Sequence, residues 1–432
     1  MDSNGTAHDV VIVGAGIGGA ALAQSLAADG LDVLVLEQSL KYEDRVRGES
    51  MMPWGVAEAR RLGVEDVLLD AGAHIAPTWV NYHLPDRRDE IPAGMLVPDV
   101  PGSMNLRHPD ACAALEQSAR AAGATITRGT RDLDLTFGTE PRVRWRDARG
   151  EHEVKCRMVV GADGRRSRVR KALGLELERA PVLNHVAGLL IEGLADVEAE
   201  HDFLAGERDL FMAGFHQEGG RARVYLCPGV SQAERYVGNG NVERFLDECA
   251  FECVPFGKAL AAGRPAGPLA TYPGDDTWID EPFAPGAVLV ADAAGYSNPI
   301  IGQGLSIAMR DARTVRDVLR GDDWSPSAFG EYGAERRERL RRLRFIANMV
   351  AITEAEDADN REARRAKWGE LMGADPRAFL VMAAAFGGPE SAPSDAFDDE
   401  LPATVRAACR APFTAPLHRL GAESTRTAAA PL

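Results

Sequence analysis

Two apolar runs near the start of the chain flank a segment with a helical pattern. Residues 9–14 (DVVIVG) and 31–38 (LDVLVLEQ) are almost continuously apolar, and a glycine-rich turn and an Ala/Leu-rich stretch lie between them. Continuous rather than alternating apolar positions are typical of parallel strands covered on both faces. The pattern therefore predicts a β-strand, a helix and a second parallel strand in a central sheet.

Similar strand-like runs return much later in the chain. Residues 153–164 and 286–296 each carry an apolar run that ends in an Asp followed by small residues. Because all these runs have the character of buried parallel strands, we expect them in one sheet. The sequence thus predicts one α/β domain assembled from distant pieces.

In a second region of the chain, apolar and polar positions alternate instead. Residues 209–228 (DLFMAGFHQEGGRARVYLCP) show this alternation on both sides of Gly219-Gly220, which predicts a β-hairpin. After about residue 325 the pattern is helical and charged, and a Pro/Ala-rich tail begins near residue 388.

The whole pattern predicts an α/β fold with three parts. A Rossmann-like domain with a parallel central sheet is expected from residues 1–75, 105–180 and 275–330. A mixed or antiparallel sheet that binds the substrate is expected from residues 76–104 and 181–274, and a helical C-terminal region with a tail from residues 331–432.

Composition excludes several classes of function. The 432 residues carry a net charge of −16, which disfavours nucleic-acid binding. No apolar stretch is long enough to span a bilayer, and no basic run precedes the first apolar segment, so we expect a cytoplasmic protein without a membrane span. The six cysteines form no CxxC pair, and no metal-ligand cluster is evident.

The turn after the first strand carries the GxGxxG spacing, with Gly14, Gly16 and Gly19. The first glycine permits the tight turn, the second lets backbone approach a pyrophosphate, and the third lets the helix pack on the strand. The helix N-terminus attracts the negative charge. We expect a dinucleotide to contact the residues of this turn: Gly14, Gly16, Ile17, Gly18 and Gly19.

Glu37 ends the second strand, and the next residue is Gln38 rather than a base. A carboxylate at this strand end accepts hydrogen bonds from a ribose diol, and it would repel a 2′-phosphate. The pair therefore favours FAD or NAD over NADP, and the motif alone does not separate FAD from NAD.

Two later segments add candidate binding residues. Asp163 and Gly164 end the second of the distant runs, and Ser167 is placed to cap the helix that follows. Asp292 ends the last run, and a proline–glycine turn then opens another helix with Pro299, Gly302, Gln303, Gly304 and Leu305. Taken alone, the first segment favours an ordinary strand–turn–helix with a capping serine, and the second is compatible with an ordinary helix N-terminus after a proline loop.

Taken in this order, the three motifs resemble the flavoprotein monooxygenases of the para-hydroxybenzoate hydroxylase fold, over about residues 8–330. That superfamily also includes flavin-dependent halogenases and geranylgeranyl reductases. The resemblance implies that the GxGxxG turn and Glu37 bind the ADP half of FAD. It also implies that Asp163 and Gly164 belong to the segment associated with FAD and with the reduced pyridine nucleotide.

The same resemblance assigns the remaining cofactor residues. Asp292 would bind the ribityl chain, and the turn from Pro299 to Gly304 would lie beside the isoalloxazine ring. Arg47 and Arg107 fall where these proteins carry arginines close to the flavin.

The sequence carries conflicting markers of the subfamily. The segments 48–50 (GES) and 291–296 (ADAAGY) resemble reductases and halogenases, whereas 299–312 (PIIGQGLSIAMRDA) resembles hydroxylases. A halogenase is disfavoured because no Trp-x-Trp-x-Ile-Pro segment occurs and no lysine lies between Lys41 and Lys155.

The resemblance implies an FAD-dependent monooxygenase that hydroxylates or epoxidises a small aromatic or polycyclic metabolite through a flavin C4a-hydroperoxide. The alternative is a reductase or oxidase of carbon–carbon bonds. The reductant would be NADPH or NADH, or reduced flavin delivered by a partner flavin reductase. Apart from that possible reductase, we expect a small-molecule substrate as the only partner, and a monomer or homodimer.

Substrate contacts are expected from the second sheet. The candidates are Tyr82 on an early strand and His216, Arg223 and Tyr225 on the predicted hairpin.

Overall fold

The computed structural model describes residues 7–84, 87–195, 197 and 201–409. The end of the predicted Pro/Ala-rich tail, residues 410–432, lies outside the described residues. The strands are, in chain order, β1 (Ala7–Val13), β2 (Val33–Glu37), β3 (Ser50–Met51), β4 (His74–Ala76), β5 (Thr78–Leu84), β6 (Arg87–Pro92), β7 (Ser103–Asn105), β8 (Thr125–Arg128), β9 (Arg131–Thr136), β10 (Arg142–Asp147), β11 (Gly150–Gly161), β12 (Glu178–Arg179), β13 (Asn184–Glu192), β14 (His201–Glu207), β15 (Leu210–Gln217), β16 (Arg221–Cys227), β17 (Arg264–Pro265), β18 (Ala270–Gly274), β19 (Thr277–Trp278), β20 (Phe283–Ala284) and β21 (Ala287–Leu289).

The α-helices complete the described elements together with short 3₁₀ turns. They are α1 (Ile17–Ala28), α2 (Pro53–Leu62), α3 (Glu65–Asp70), α4 (His108–Ala121), α5 (Arg168–Ala172), α6 (Val242–Glu248), α7 (Gly257–Ala262), α8 (Gly304–Leu319), α9 (Gly330–Val350), α10 (Arg361–Ala374), α11 (Pro376–Gly387) and α12 (Glu400–Arg406). A π-helical turn over Ala351–Ala355 extends α9.

The first sheet confirms the predicted Rossmann-like arrangement. Its strands run in the order β20-β21-β11-β1-β2-β8, and β10 and β9 continue from β11. The strands β21, β11, β1, β2 and β8 are parallel. In β1, Val10 and Ile12 enter one apolar cluster while Val11 and Val13 enter another, so both faces of the strand are covered.

The second sheet is mixed. Its order is β17-β13-β16-β15-β14-β5-β6, and β18 pairs with β13. The predicted hairpin joins β15 and β16 through residues 218–220. All of its pairs are antiparallel except β14 with β5, which is parallel. Every strand of this sheet falls within residues 76–104 or 181–274, although the exact domain boundaries stay a prediction.

The predicted helical C-terminal region is present. Helices α9 and α11 share an apolar cluster with the second sheet, which includes Leu343, Phe386 and Trp79, and α11 also packs on α2. Among the described residues, the structure contains no helix that is long and apolar enough to cross a membrane.

Candidate active site

The GxGxxG turn leaves one open position in front of α1. A Cβ on Gly14, which has a φ of +105°, would lie 2.4 Å from the Ala162 carbonyl oxygen, and one on Gly19 would lie 2.1 Å from the Gly14 carbonyl oxygen. Close packing therefore requires both glycines. A Cβ on Gly16 would meet no atom within 4 Å, so the space before the helix N-terminus is open there.

The start of α1 offers backbone donors to that space. No side chain caps the helix, which begins at Ile17. The Ile17 side chain is buried and Gly18 has none, so only the backbone of these two residues would face a ligand. The first N–H groups of a helix lack partners within it, and they favour an anion.

Glu37 lies beside this turn. Its carboxylate accepts hydrogen bonds from the Ala15 N–H at 2.8 Å and the Ser39 N–H at 2.7 Å, and the side chain remains partly exposed. The neighbouring Gln38 is exposed. An acidic group is thus held at the end of β2, next to the open position at Gly16.

Asp163 caps α5. Its carboxylate Oδ2 accepts hydrogen bonds from the N–H groups of Arg168 and Val169, at 2.6 and 3.3 Å, while burial raises its pKa. Ser167 accepts from the Arg170 N–H at 2.9 Å, as the sequence predicts for a capping serine. The other oxygen, Asp163 Oδ1, is buried and has no partner among the described residues, so it can accept from a ligand. At Gly164, which has a φ of +72°, a Cβ would meet nothing within 4 Å.

Asp292 belongs to a cluster of charged and aromatic side chains. It lies in a 3₁₀ turn over Ala291–Ala294 and forms an ion pair of 3.2 Å with Arg165. The Arg165 guanidinium lies 4.1 Å from the Tyr296 ring centre, and that of Arg47 lies 5.3 Å from the Tyr272 ring centre. Burial and the charge of Arg165 lower the pKa of Arg47.

Arg165 was not predicted as a binding residue from the sequence. Its signal is the basic run that follows the Asp-Gly turn. The predicted Arg107 is the N-cap residue of α4 and forms a partly exposed ion pair of 3.4 Å with Asp110, so its contact with the flavin stays a prediction.

The turn before α8 provides a second open position. Pro299 begins a 3₁₀ turn that ends at Gly302, whose φ is +62°. A Cβ on the exposed Gly304 would meet no atom within 4 Å. Leu305 is buried, and no side chain caps the start of α8. Like α1, this helix therefore directs unpaired backbone donors toward open space.

Both polar atoms of the Gln303 side chain form hydrogen bonds within the protein. Its Oε1 accepts from the Trp54 indole N–H at 2.9 Å, and its Nε2 donates to the Ala385 carbonyl at 3.0 Å. Only the backbone of Gln303 is thus available to a ligand at this turn.

One face of the second sheet carries aromatic side chains toward this turn. Phe215 lies 5.7 Å from Trp79 and 5.8 Å from Tyr225, measured between ring centres. These three residues, which we call the aromatic wall, pack in the same apolar cluster as Ile300 of the 3₁₀ turn. Phe386 of α11 closes the cluster, 5.0 Å from Trp79.

Tyr82 and His216 lie on the opposite face. They contact Phe203 and Phe256, which belong to the cluster behind the sheet. The Tyr82 hydroxyl is 3.1 Å from His201 Nε2, and His216 Nδ1 is 2.7 Å from the His201 carbonyl. Because side chains alternate along a strand, His216 next to Phe215 on β15 and Tyr82 three residues after Trp79 on β5 both point away from the aromatic wall.

Arg223 and Tyr225 are held by acidic groups. The buried Arg223 places Nε 2.5 Å from Glu49 Oε2 and Nη2 2.7 Å from Asp44 Oδ2. The Tyr225 hydroxyl donates to Glu49 Oε2 at 2.9 Å. Both predicted substrate residues thus contact Glu49, whose only signal in the sequence was its place in the segment 48–50 (GES).

The described residues fit an FAD molecule. Gly16 and Gly304 leave space before two uncapped helix N-termini, and Asp163 Oδ1 is a buried acceptor without a partner. The described residues contain no group of three or more His, Cys, Asp or Glu side chains that could hold a metal ion.

Comparison with solved structures shows a shared fold. The p-nitrophenol 4-monooxygenase PnpA from Pseudomonas putida DLL-E4 matches with a TM-score of 0.74 and 20% identity, over 88% of this chain and 97% of that one. The flavin-dependent halogenase CmlS matches with a TM-score of 0.72 and 18% identity, over 93% of this chain and 76% of that one.

Comparison of sequences extends the likeness. Squalene monooxygenase SE2 from Panax ginseng is 28% identical over 327 residues, which cover 74% of this chain and 59% of that protein. The chain thus spans well under two thirds of the length of that relative. The model of the FAD binding domain family matches residues 7–344, which include both uncapped helix N-termini, Glu37 and Asp292. This protein therefore belongs to the FAD binding domain family.

Proposed function

We propose that the protein is an FAD-dependent monooxygenase that inserts one atom of O₂ into a small apolar molecule, by hydroxylation or epoxidation. The observation that carries the proposal is the aromatic wall, which packs with Ile300 next to the turn that opens α8. An apolar wall beside a flavin ring suits an aromatic, polycyclic or polyene substrate. The relatives named squalene monooxygenases support an apolar substrate, and those named monooxygenases in the structural comparison support oxygen insertion.

The protein's own groups would hold FAD along two helix N-termini. The N–H groups at Gly16 and Ile17 would bind the pyrophosphate, and Glu37 would accept from the adenosine ribose. Asp292 would accept from the ribityl hydroxyls. When bound, FAD supplies the transfer of electrons from a nicotinamide to O₂ and of oxygen to the substrate.

The residues around the ring position would perform three tasks. The N–H groups of Gln303 to Leu305 favour negative charge at the ring by about 0.3–2 kcal/mol. Trp79 and Phe386, packed 5.0 Å apart, exclude water from the substrate side. Tyr225 completes the wall while its hydroxyl stays bonded to Glu49.

We infer that NADPH or NADH reduces the flavin directly. Arg47 and Arg165 form a cationic, partly exposed group beside Asp292 that suits the phosphates of a dinucleotide. The alternative is a partner flavin reductase. We further propose that the protein acts in the cytoplasm as a monomer or homodimer.

Flavin reduction and oxygen use test the proposed function together. Anaerobic mixing of the FAD-loaded protein with NADPH or NADH should bleach the flavin absorbance, since the cationic group would dock the nucleotide. In air, an apolar substrate should then raise nucleotide oxidation and O₂ consumption in equal measure. Bleaching that occurs only after a flavin reductase is added would assign reduction to a partner. Substrate conversion that proceeds without O₂ would instead indicate a reductase of carbon–carbon bonds.

A further inference from the structure

Glu49 lies between the turn that opens α8 and the aromatic wall. A Cβ on the preceding Gly48 would be 3.5 Å from Leu305 Cδ2, and the Met52 N–H donates to Ser306 Oγ at 3.1 Å. Residues 48–52 therefore run along the first turn of α8. The Glu49 backbone is fixed from the other side, because its carbonyl accepts from the Leu106 N–H at 2.8 Å.

The two carboxyl oxygens of Glu49 have different surroundings. Oε2 accepts from the Tyr225 hydroxyl and contacts Arg223 Nε. Oε1 makes no hydrogen bond within the described part of the chain, and the side chain is 2% exposed. One oxygen thus anchors the carboxyl group, while the other is available to hold and release a proton.

The charges around Glu49 balance when it is neutral. Arg223 from β16 and Asp44 from the same loop form one ion pair, and Tyr225 is uncharged because burial raises its pKa. His108 of α4, beside Gly48, is also neutral because burial lowers its pKa. A second buried carboxylate next to Arg223 and Asp44 would leave an uncompensated charge, which is costly in the interior.

Burial raises the pKa of Glu49 to about 7, with a further contribution from the charge of Asp44, while Arg223 acts in the opposite direction. The carboxyl group is therefore protonated below about pH 7 and ionised above it.

We propose that Glu49 donates, from Oε1, the proton that each reaction cycle consumes. The inference rests on the proposed function, whose balance for a substrate S is S + O₂ + NAD(P)H + H⁺ → SO + NAD(P)⁺ + H₂O. One oxygen atom enters the substrate and the other leaves as water, whose two hydrogens are the nucleotide hydride and the Glu49 proton. The carboxylate recovers a proton from solvent before the next cycle. Tyr225 and Arg223 are positioning residues that orient the carboxyl group.

The same proton is consumed without substrate, when reduced flavin reacts as FADH⁻ + O₂ + H⁺ → FAD + H₂O₂. Mixing the reduced, FAD-loaded protein with O₂ therefore tests Glu49 before any substrate is known. The return of oxidised flavin absorbance should slow in the wild type as pH rises through about 7. In Glu49→Gln it should be about 100-fold slower at pH 6 and independent of pH, within the usual range for loss of a general acid.

Asp202→Asn is the matched control. Asp202 is a fully buried carboxyl group on β14, with a pKa raised by burial to about 8, and its Oδ1 accepts from Asn105 Nδ2 at 2.6 Å. Removing that carboxyl should leave the reoxidation rate and its pH profile unchanged. Glu49→Asp, which keeps an acid, should restore part of the rate.

Tyr225→Phe and cofactor-free protein give independent readouts. Removing the Tyr225 hydroxyl takes a donor from the carboxylate, so the midpoint of the pH profile should move to higher pH. In cofactor-free wild type, the infrared band of a protonated carboxyl group should disappear near pH 7, and Glu49→Gln should lack that change.

Different results would overturn the proton-donor role of Glu49 and the proposed monooxygenase activity. Reoxidation in Glu49→Gln with the wild-type rate and pH profile would overturn the proton-donor role. Hydrogen peroxide as the only oxygen product in every variant and with every substrate, the wild type included, would instead overturn the monooxygenase.

Discussion

Replacing Gly16 by Ala is expected to lower the affinity for FAD about 10- to 100-fold and to leave the cofactor-free fold intact. A Cβ at this position meets no protein atom within 4 Å, so the added methyl group occupies the space in front of α1 instead. There it would push the pyrophosphate away from the helix N-terminus. Losing hydrogen bonds to a charged group costs about 1.5–3 kcal/mol, which corresponds to that range of affinities.

Gly18→Ala is the matched control for this change. Its Cβ would lie 3.4 Å from the Ala308 Cβ and 3.5 Å from the Ala291 Cβ, which are ordinary contacts in the packed interior. Titration of each variant with FAD, followed by flavin fluorescence, should show a weakened Gly16→Ala and a Gly18→Ala close to wild type. Equal affinities in the two variants would place the pyrophosphate elsewhere.

Arg336→Met is expected to destabilise the protein by about 3–5 kcal/mol, the usual cost of breaking a buried ion pair. Arg336 of α9 is fully buried; it pairs with Asp311 at 2.9 Å and donates to the carbonyls of Ala294 and Gly295, each at 3.0 Å. The variant leaves Asp311 and three carbonyls, including that of Ala291 at 3.2 Å, short of a donor. Because those carbonyls flank the turn that carries Asp292, FAD affinity should fall as well.

Arg320→Met serves as its control. Arg320 pairs with Asp29 at 2.6 Å, but it is 46% exposed, and such pairs contribute about 0–1 kcal/mol. Denaturant unfolding of both variants should show a large loss for Arg336→Met and a small one for Arg320→Met. A small loss in both would mean that α9 does not hold the Asp292 turn in place.

Local pattern was sufficient to predict much of the fold. The continuous apolar run of β1 predicted a strand buried on both faces, and the Gly219-Gly220 pair predicted the hairpin of β15 and β16. The glycine spacing predicted a strand–turn–helix. The structure explains this spacing, since the positions of Gly14 and Gly19 leave no room for a side chain. These features depend on residues close together in the sequence.

Contacts between distant segments were beyond such reasoning. Glu49 and Arg223 lie on different parts of the fold, and no local pattern indicates that they meet. Alternation along β15 predicted two faces, but not that Phe215 packs with Ile300 while His216 packs with Phe203 on the other face. Arg336 lies in a charged helical stretch whose pattern is typical of a solvent-exposed helix, so its buried pairing with Asp311 could not be predicted.

Helices α9 and α11 contact the positions proposed above for FAD and the substrate. The resemblance seen in the sequence ends near residue 330, whereas the family match extends to residue 344 and includes Arg336. Through this residue, α9 fixes the backbone around Asp292. Through Phe386, α11 covers the aromatic wall.

Turnover under ¹⁸O₂ distinguishes oxygen insertion from reduction of the substrate. The FAD-loaded protein, NADPH or NADH and a panel of apolar aromatic, polycyclic and polyene compounds should yield a product that carries one ¹⁸O atom. Mass spectrometry should find the other labelled atom in water. A converted substrate without label, formed equally well in the absence of oxygen, would contradict the account and identify the protein as a reductase.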